Sequence, residues 1–442
     1  MTSIPQIAAA MQHVLTQVAD TAARATGFVQ RTSKLTGALF VQTLVFGFWA
    51  TPTATREQLA QTAAALGLTI SQQGLDQRMT ETAAACLYDV LTAAVATIVT
   101  ADPVAIPLLT RFTGVYIQDS TRIGLPRTLA HLWQGSGNQH TSAGTSAQLK
   151  VSVRLDLATG AMTGPQTDHG VTSDRSTVLQ DAPIPAGGLR IADLGYFDLD
   201  VLRTTGEQDG YWLTRFPSTT AVFDAHGQRL DLFLYLAAQT APTVDLPIQL
   251  GARHHLACRL LAQRVPQEVA DQRRRRVRAE AKRRGRQPNA LLLALAAWTL
   301  LVTNVPIDLL TVTEALVLAR SRWQIECLWK LWKSHGQIDQ WRSAKGAAIL
   351  CELYAKVIAM ILQHWLLLVG CWTYPNRSLV KAAASVRLHV LGLAMALGDG
   401  TRLAAVIVVI VACLAVGCRI NKRKTSPHTY QLLLNAPDLV VG

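Results

Sequence analysis

Three acidic residues stand where carboxylates can hold metal ions. Asp119 and Asp193 each end a short strand-like run, and Glu326 lies within a predicted helix. Carboxylates carried by two strand ends and a helix suit a pair of divalent ions about 4 Å apart, which stabilise the attacking and leaving oxygens of an in-line phosphoryl displacement. Oxygen ligands favour magnesium or manganese over zinc. We therefore expect these residues to hold two Mg²⁺ (or Mn²⁺) ions per active site.

The predicted helix around Glu326 also carries basic residues. It covers residues 309–335. At about 100° per residue, Arg322 and Lys333 fall on the face of Glu326, and Lys330 follows that glutamate by about one turn. The pattern suits a metal ligand flanked by phosphate-binding cations. Taken alone, salt bridging on a solvated helix face is the simpler explanation.

Other acidic residues and one histidine pair are weaker candidates for metal ligands. None of these acids directly follows an apolar strand, and no ligand cluster accompanies the histidines. They are Asp168, Asp174, Asp198, Asp200 and the pair His254-His255.

Five segments, in order along the chain, resemble the motifs of DDE transposases, and the closest group is the insertion-sequence-four family of bacterial mobile elements. They correspond to the first aspartate, the second aspartate, the block before the catalytic helix, the Y-x2-R-x3-E-x6-K signature and the basic tail, at residues 118–121, 193–197, 303–306, 321–333 and 421–424. Ala319 departs from the signature, because the family has a phosphate-contacting tyrosine there. The ordered set is specific, whereas each motif alone is weak.

The resemblance implies an α/β fold in which a ribonuclease-H-like catalytic core is interrupted by a mainly β insertion domain and flanked by helical N-terminal and C-terminal regions. On this sequence it implies a helical DNA-binding region, the first part of the core, a β-rich insertion with a basic segment, and a catalytic helix with a helical C-terminal region. These regions cover residues 1–104, 105–215, 216–305 and 306–442.

Local patterns indicate the elements that would position these residues. Residues 149–157 alternate with period two and predict a half-buried strand, and residues 211–215 predict another strand. Strand-like pieces at residues 221–223, 230–235 and 255–261 fit the insertion.

Near the N-terminus, Thr55 predicts the cap of a helix over residues 56–65, and a second helix is predicted over residues 71–97. A helix, a short turn and a helix suit either a DNA-reading helix-turn-helix or any small helical bundle.

The charge of the chain favours a polyanionic partner. The net charge is +13, and a run between Arg264 and Arg286 includes four consecutive arginines, Arg273, Arg274, Arg275 and Arg276. We expect these arginines to contact the DNA backbone, although a solvated helix or a flexible arm has the same composition. Trp298 suits stacking on a base flipped out of the duplex, by resemblance to the family's insertion domain, and suits a core position equally well.

Composition bears on the compartment. The seven cysteines form no CxxC pair, which disfavours a zinc ribbon or a disulfide scaffold and favours a reducing cytosol. Residues 1–12 do not resemble a signal peptide. The apolar runs at residues 357–372 and 403–418 are shorter than the roughly 20 residues of a spanning helix, so we expect core helices and no membrane partner.

The resemblance implies a DNA transposase located in the bacterial cytoplasm with the nucleoid. Water attacks a phosphodiester at the transposon end, and the released 3′-OH then attacks target DNA. Arg322, Lys330 and Lys333 would hold the backbone, and a homodimer would pair the element's terminal inverted repeats. A catalytically inactive DNA-binding relative, a plain metal-dependent nuclease and a membrane-associated protein remain as alternatives.

Overall fold

A computed structural model describes residues 2–31, 33–136 and 146–436 of the 442-residue chain. The chain divides into two compact units. Unit 1 comprises Met1–Ala105, Ser120–Thr172 and Gln324–Thr425, and unit 2 comprises Ile106–Asp119, Ser173–Trp323 and Ser426–Gly442. Both units are therefore built from segments that are distant in sequence.

The described residues form the following helices and strands. In chain order the helices are α1 (Ile4–His13), α2 (Ala19–Ala25), α3 (Gly37–Ala50), α4 (Arg56–Ala65), α5 (Gln72–Arg78), α6 (Glu81–Ala96), α7 (Val178–Asp181), α8 (Leu199–Glu207), α9 (Leu232–Ala237), α10 (Gln267–Arg283), α11 (Ala290–Leu295), α12 (Val312–Ser321), α13 (Trp323–Lys330), α14 (Gly346–Cys371), α15 (Leu379–Arg387), α16 (Val390–Ala396), α17 (Gly400–Gly417) and α18 (Thr429–Asn435). The strands are β1 (Val115–Leu125), β2 (Ala147–Asp156), β3 (Met162–His169), β4 (Leu189–Ala192), β5 (Tyr211–Arg215), β6 (Val222–Phe223), β7 (Thr243–Leu250), β8 (Leu256–Arg264) and β9 (Trp298–Thr303).

The strands follow the order β3-β2-β1-β4-β5-β9-β8-β7-β6. In unit 2, β4 pairs in parallel with β1 and with β5, whereas the pairs from β5 to β9, β8, β7 and β6 are antiparallel. In unit 1, β2 and β3 form an antiparallel hairpin. The chain is thus a mixed α/β protein, as expected.

Unit 1 is mainly helical around α14. This helix packs on α3, α6 and α17, and its 18-residue apolar window is 94% buried. The expectation of a core helix over residues 357–372 is confirmed. The capped helix predicted at residues 56–65 is also confirmed, because Thr55 accepts from the Gln58 amide in a capping box.

Two predictions of secondary structure are wrong. The helix predicted over residues 71–97 is broken at Met79, and Thr80 caps the new helix α6. Residues 230–235 were expected to form a strand, but Asp231 accepts from the amides of Phe233 and Leu234 and starts α9 instead. In both cases a polar side chain satisfies helix amides that have no intrahelical partner.

Strand β2 is buried on both faces, not half-buried as its alternation predicted. Its polar positions Lys150, Ser152, Arg154 and Asp156 are no more than 5% exposed. Asp156 accepts from the amides of Ala158 and Thr159 and so closes the β2–β3 turn. The alternation in the sequence predicted which residues lie on each face of β2, but it did not predict that both faces would be buried.

Helix α17 departs from the expected core helix. Within the part of the chain that the structure describes, two helices, α14 and α17, are long and apolar enough to cross a membrane. The pair α15 and α16, bent by 54°, adds a third candidate if it is one span. Only 22% of the α17 window is buried. One stripe of the helix packs inward, through Leu403, Ile407, Ile410 and Leu414. The remaining apolar residues of α17 are covered less, because packing partners lie on one side.

Candidate active site

Asp119 and Asp193 directly follow paired residues on two adjacent strands of unit 2, but Asp119 lies within β1, which continues to Leu125, and does not end its strand as predicted. Strands β1 and β4 are parallel, with Gln118 opposite Ala192, so each aspartate is the residue that follows a paired position. Neighbouring strands lie about 4.8 Å apart, and two oxygens bound to one Mg²⁺ are at most about 4.2 Å apart, since each lies at about 2.1 Å. The strand spacing is close to that oxygen–oxygen distance, so the register leaves the expectation of a shared divalent ion open.

A buried network supports the turn after Asp193. Asp193 is followed by a single 3₁₀ turn, Leu194–Tyr196, and its side chain makes no capping hydrogen bond to that turn. Gln180 donates to the Tyr196 carbonyl oxygen at 3.0 Å, and Arg190 on β4 donates to Gln180. The turn that carries Asp193 is thus held by side chains from two other segments.

Arg190 is the least expected member of this network. It is 2% exposed, and burial lowers its pKa to about 10, while Tyr196, Asp181 and Asp198 act in the opposite direction. Its Nε makes no hydrogen bond among the described residues. Sequence reasoning missed Arg190 and Gln180, since an arginine within a short strand and a distant glutamine carry no local signal.

The motif block before the predicted catalytic helix joins β5 to β9. Thr303 donates to the Trp212 carbonyl oxygen at 2.6 Å. Asn304 accepts from the Trp212 amide at 2.7 Å and donates to the Gly210 carbonyl oxygen at 2.9 Å. These bonds fix the ends of two strands of unit 2 immediately before the chain continues into α12.

The helix predicted over residues 309–335 is not one continuous α-helix. Helix α12 begins at Val312 and ends at Ser321, α13 begins at Trp323, and Leu331–His335 forms a π-helical turn that ends at Gly336. Glu326 and Lys330 share α13 at a spacing of four, whereas Lys333 lies on the π turn. Lys330 therefore lies one helical turn after Glu326, as predicted. The prediction that Arg322 and Lys333 share a helix face with Glu326 assumed one continuous α-helix, which the structure does not have.

Glu326 and the basic residues near it lie where α13 begins in unit 1. Glu326 is half-buried and Lys330 is exposed. Lys333 donates to the Arg122 carbonyl oxygen of β1 at 3.2 Å. This bond ties the π-helical turn that carries Lys333 to the part of β1 that lies in the same unit.

Helix α12 is held within unit 2 by a partly buried ion pair that the sequence did not indicate. Arg111 binds Glu314 at 2.7 Å, and Glu314 also completes a capping box with Thr311. Burial alone would raise the pKa of Glu314, but hydrogen bonds from Arg111 and Thr311 outweigh it and lower that pKa below its usual value. The pair joins the segment before β1 to the start of α12.

The four consecutive arginines lie on α10 and separate into two kinds. Arg273 donates to the Trp298 carbonyl oxygen at 2.9 Å, and Arg274 pairs with Asp271 at 2.8 Å. Arg275 and Arg276 are exposed. Only the second pair points into solvent, where a DNA backbone is accessible.

Trp298 belongs to the core of unit 2. Its side chain is 6% exposed, and the Arg264 guanidinium lies 4.6 Å from the ring centroid. Base stacking on Trp298 therefore requires Arg264 to move away first.

The weaker candidates have structural contacts. Asp198 caps α8, Asp200 pairs with Arg203, and His255 packs against Phe223. Within residues 2–31, 33–136 and 146–436, no group of three or more His, Cys, Asp or Glu side chains is gathered closely enough to hold a metal ion.

Comparison with known proteins agrees with the motifs. The Transposase DDE domain family matches residues 110–362. The chain is 25% identical over 383 residues to the transposase of insertion sequence element IS231F from Bacillus thuringiensis subsp. israelensis, covering 81% of this chain and 79% of that protein. It is 24% identical to the IS231B transposase from Bacillus thuringiensis subsp. berliner, covering 79% of this chain and 77% of that protein. It is 25% identical to the IS1151 transposase from Clostridium perfringens, covering 58% of this chain and 57% of that protein. Since the family match spans more than half of the chain and includes all three candidate carboxylates, this protein belongs to the DDE transposase family.

Proposed function

We propose that this transposase cuts DNA at the ends of an insertion sequence and joins those ends to target DNA, using Asp119, Asp193 and Glu326 as its carboxylate set. The observation that carries the proposal is the position of Asp119 and Asp193 directly after paired residues of two adjacent parallel strands. Glu326 is assigned by its motif.

The three carboxylates would hold two Mg²⁺ or Mn²⁺ ions. Bound there, such ions stabilise the attacking and leaving oxygens of phosphoryl transfer. Lys330, Lys333 and Arg322 hold backbone phosphates, with Lys333 already fixed against β1. The network of Arg190 and Gln180 keeps the Asp193 turn in place.

We further propose that strands β3-β2-β1-β4-β5 form a ribonuclease-H-like core. The supporting features are the β2–β3 hairpin and the parallel pairing of β1, β4 and β5. The insertion then consists of residues 216–305, which include both strands and the helices α9, α10 and α11. Helices of residues 1–104 bind the terminal inverted repeats, and two copies pair two ends in the cytoplasm.

The test is strand cleavage on a plasmid that carries the DNA flanking the gene. Purified protein is assayed with and without Mg²⁺ or Mn²⁺, beside Asp193→Asn and Glu326→Gln. Exposed Asp102 and Glu207 give the matched controls Asp102→Asn and Glu207→Gln. Metal-dependent cleavage in the wild type and controls, with loss in the two site variants, supports the assignment.

Three other outcomes decide between the alternatives. Cleavage without joined donor–target products indicates a plain nuclease. End binding without cleavage by the wild type indicates an inactive relative, and equal cleavage by Glu326→Gln refutes the choice of that glutamate.

A further inference from the structure

Lys333 lies on the π-helical turn Leu331–His335 of unit 1. A π-helical turn is wider than an α-helical one, because each amide bonds to the carbonyl five residues earlier, and single turns of this kind are frequent at functional sites. Leu331 and Trp332 are no more than 1% exposed, whereas Lys333 is half-buried and donates to the Arg122 carbonyl oxygen at 3.2 Å. A return to α-helical geometry would rotate Lys333 about the helix axis, away from this bond, so its direction depends on the turn.

Two cations from α14 and α15 hold the chain where it leaves this turn. The last carbonyls of a helix have no intrahelical partner. Arg387 of α15 donates to the carbonyl oxygen of His335, the last residue of the turn, at 2.5 Å. Lys356 of α14 donates to the carbonyl oxygens of Gln337 at 3.2 Å and Gln340 at 2.8 Å. Cations are favourable at the C-terminal end of a helix, and here they fix three carbonyls in succession.

The two cations differ in their other contacts. Lys356 is 1% exposed and pairs at 2.8 Å with Glu352, which is buried to the same extent. Removing Lys356 would leave a buried carboxylate without its cation, which strongly destabilises a fold. Arg387 is half-buried, burial lowers its pKa, and it forms no ion pair among the described residues. Arg387 is therefore the contact of the turn that can be removed without leaving a buried charge unpaired.

Gly336 leaves the turn no room to shift towards α14. Its backbone angles, φ −82° and ψ −20°, are ones that any residue adopts. A Cβ at this position would nevertheless lie 2.6 Å from the Met360 Sδ and 2.7 Å from the Trp332 carbonyl oxygen. The Gly336 amide also donates to the Leu331 carbonyl oxygen at 3.1 Å and closes the turn. The close approach of the turn to α14 thus requires a glycine here, and a side chain would displace the turn.

We propose that Arg387 is a positioning residue for Lys333: by binding the His335 carbonyl oxygen it keeps the turn π-helical and directs the Lys333 ammonium to a DNA phosphate beside β1. An ammonium group has three N–H donors, so a bond to the Arg122 carbonyl is compatible with a bond to a phosphate oxygen. The inference rests on the proposed function, because it takes Lys333 to be a phosphate contact. It adds a residue of α15, outside the five motifs, to the groups that determine how DNA is held.

The test measures the contribution of Lys333 to the salt dependence of DNA binding in different backgrounds. Binding of a labelled duplex with the sequence that flanks the gene is measured over a range of salt concentrations. Each phosphate contact contributes about 0.9 to the slope of log K against log salt, so Lys333→Ala should reduce the wild-type slope by about 0.9. Arg387→Met should reduce the slope by a similar amount, and adding Lys333→Ala to it should reduce the slope no further. If Arg387 itself bound a phosphate, the two losses would add to about 1.8.

Two variants of α15 are the matched controls. Arg387→Lys keeps a cation that can bond to the same carbonyl oxygen, and the contribution of Lys333 to the slope should be retained. Lys381→Met removes from the same helix a cation that is bonded to a different backbone carbonyl, that of Arg419, at 3.0 Å. In this background Lys333→Ala should still reduce the slope by about 0.9.

Gly336→Ala is a second perturbation of the turn and removes no charge. It keeps the test decisive if circular dichroism shows that Arg387→Met folds poorly. Because the new Cβ must displace the turn from the Trp332 carbonyl oxygen, Lys333→Ala should have no further effect on the slope in this background.

Additive losses of slope for Arg387→Met and Lys333→Ala overturn the proposal, and so does a full contribution of Lys333 in Gly336→Ala. If Lys333→Ala leaves the wild-type slope unchanged, Lys333 holds no phosphate and the proposal fails with that assignment. The plasmid cleavage assay separates this inference from the proposed function. If the wild type cleaves element ends while the losses are additive, only the role of Arg387 is refuted. If the wild type neither binds the duplex nor cleaves, the proposed function and this inference are both refuted.

Discussion

Replacing Arg190 with methionine should separate stability from activity. Arg190 is 2% exposed, and burial is the main reason that its pKa falls to about 10. Keeping the charge in this buried position therefore costs roughly 3 kcal/mol. Arg190 donates one hydrogen bond to Gln180, and a bond from a charged group contributes about 1.5–3 kcal/mol. The two contributions nearly cancel.

We therefore expect Arg190→Met to unfold at the same urea concentration as the wild type or at a slightly higher one, by about 0–2 kcal/mol in free energy of unfolding. Arg190→Ala, which also removes packing, should be less stable than Arg190→Met. Cleavage should fall about tenfold or more in both variants, because Gln180 loses the group that orients it and the turn after Asp193 loosens. If Arg190→Met loses more than about 3 kcal/mol, or cleaves at the wild-type rate, the reasoning is refuted.

Three other predictions concern an ion pair, a helix and the arginine run. Glu314→Gln should lower the free energy of unfolding by about 1–3 kcal/mol at pH 7. Because the pKa of Glu314 is lowered in the folded state, the stabilisation by its carboxylate is present above pH 4.5 and is lost as the pH falls through the folded pKa. The urea unfolding curves of the wild type and the variant should therefore converge in acid. In α17, Ile410→Ala should lower the free energy of unfolding by about 2–5 kcal/mol, whereas Val416→Lys should change it by less than about 0.5 kcal/mol. The reason is that Ile410 is 0% exposed and Val416 is 85% exposed. Equal losses in the two variants would mean that the outer face of α17 is covered. The double variant Arg275→Gln, Arg276→Gln should weaken DNA binding and reduce the slope of log K against log salt by about 1.8, without a loss of thermal stability. Arg273→Gln should lower the thermal stability and leave the salt dependence of DNA binding unchanged, because Arg273 is bonded to β9.

Local signals in the sequence were sufficient where the neighbouring residues supply the structure. Thr55 and the residues after it define α4, and the apolar run at residues 211–215 coincides with β5. The placement of Asp193 directly after β4 was predictable for the same reason, whereas Asp119 lies within β1, which continues to Leu125 and does not end there as predicted. The family was predictable because the order of its motifs is itself a property of the sequence.

Other local signals were present but misinterpreted. Asp231 caps a helix where a strand was predicted, and Thr80 caps a new helix in the middle of a segment that was predicted to be one continuous helix. Strand β7 was missed because it contains Asp245 and Pro247, which are unusual in strands. Pairing along the whole of β8 stabilises this strand in spite of its composition.

The tertiary structure alone decided which helix faces are buried and which charged side chains form hydrogen bonds or ion pairs. Periodicity identifies the apolar stripe of α17, but only the positions of its partners leave most of that helix uncovered. Four adjacent arginines have the same chemistry, yet packing on β9 engages Arg273 and leaves Arg275 exposed. Arg190 and Gln180 meet only because the chain folds back. The sequence determines the local backbone preference and the chemistry of each side chain, whereas burial and electrostatic environment depend on residues that folding brings from distant parts of the chain.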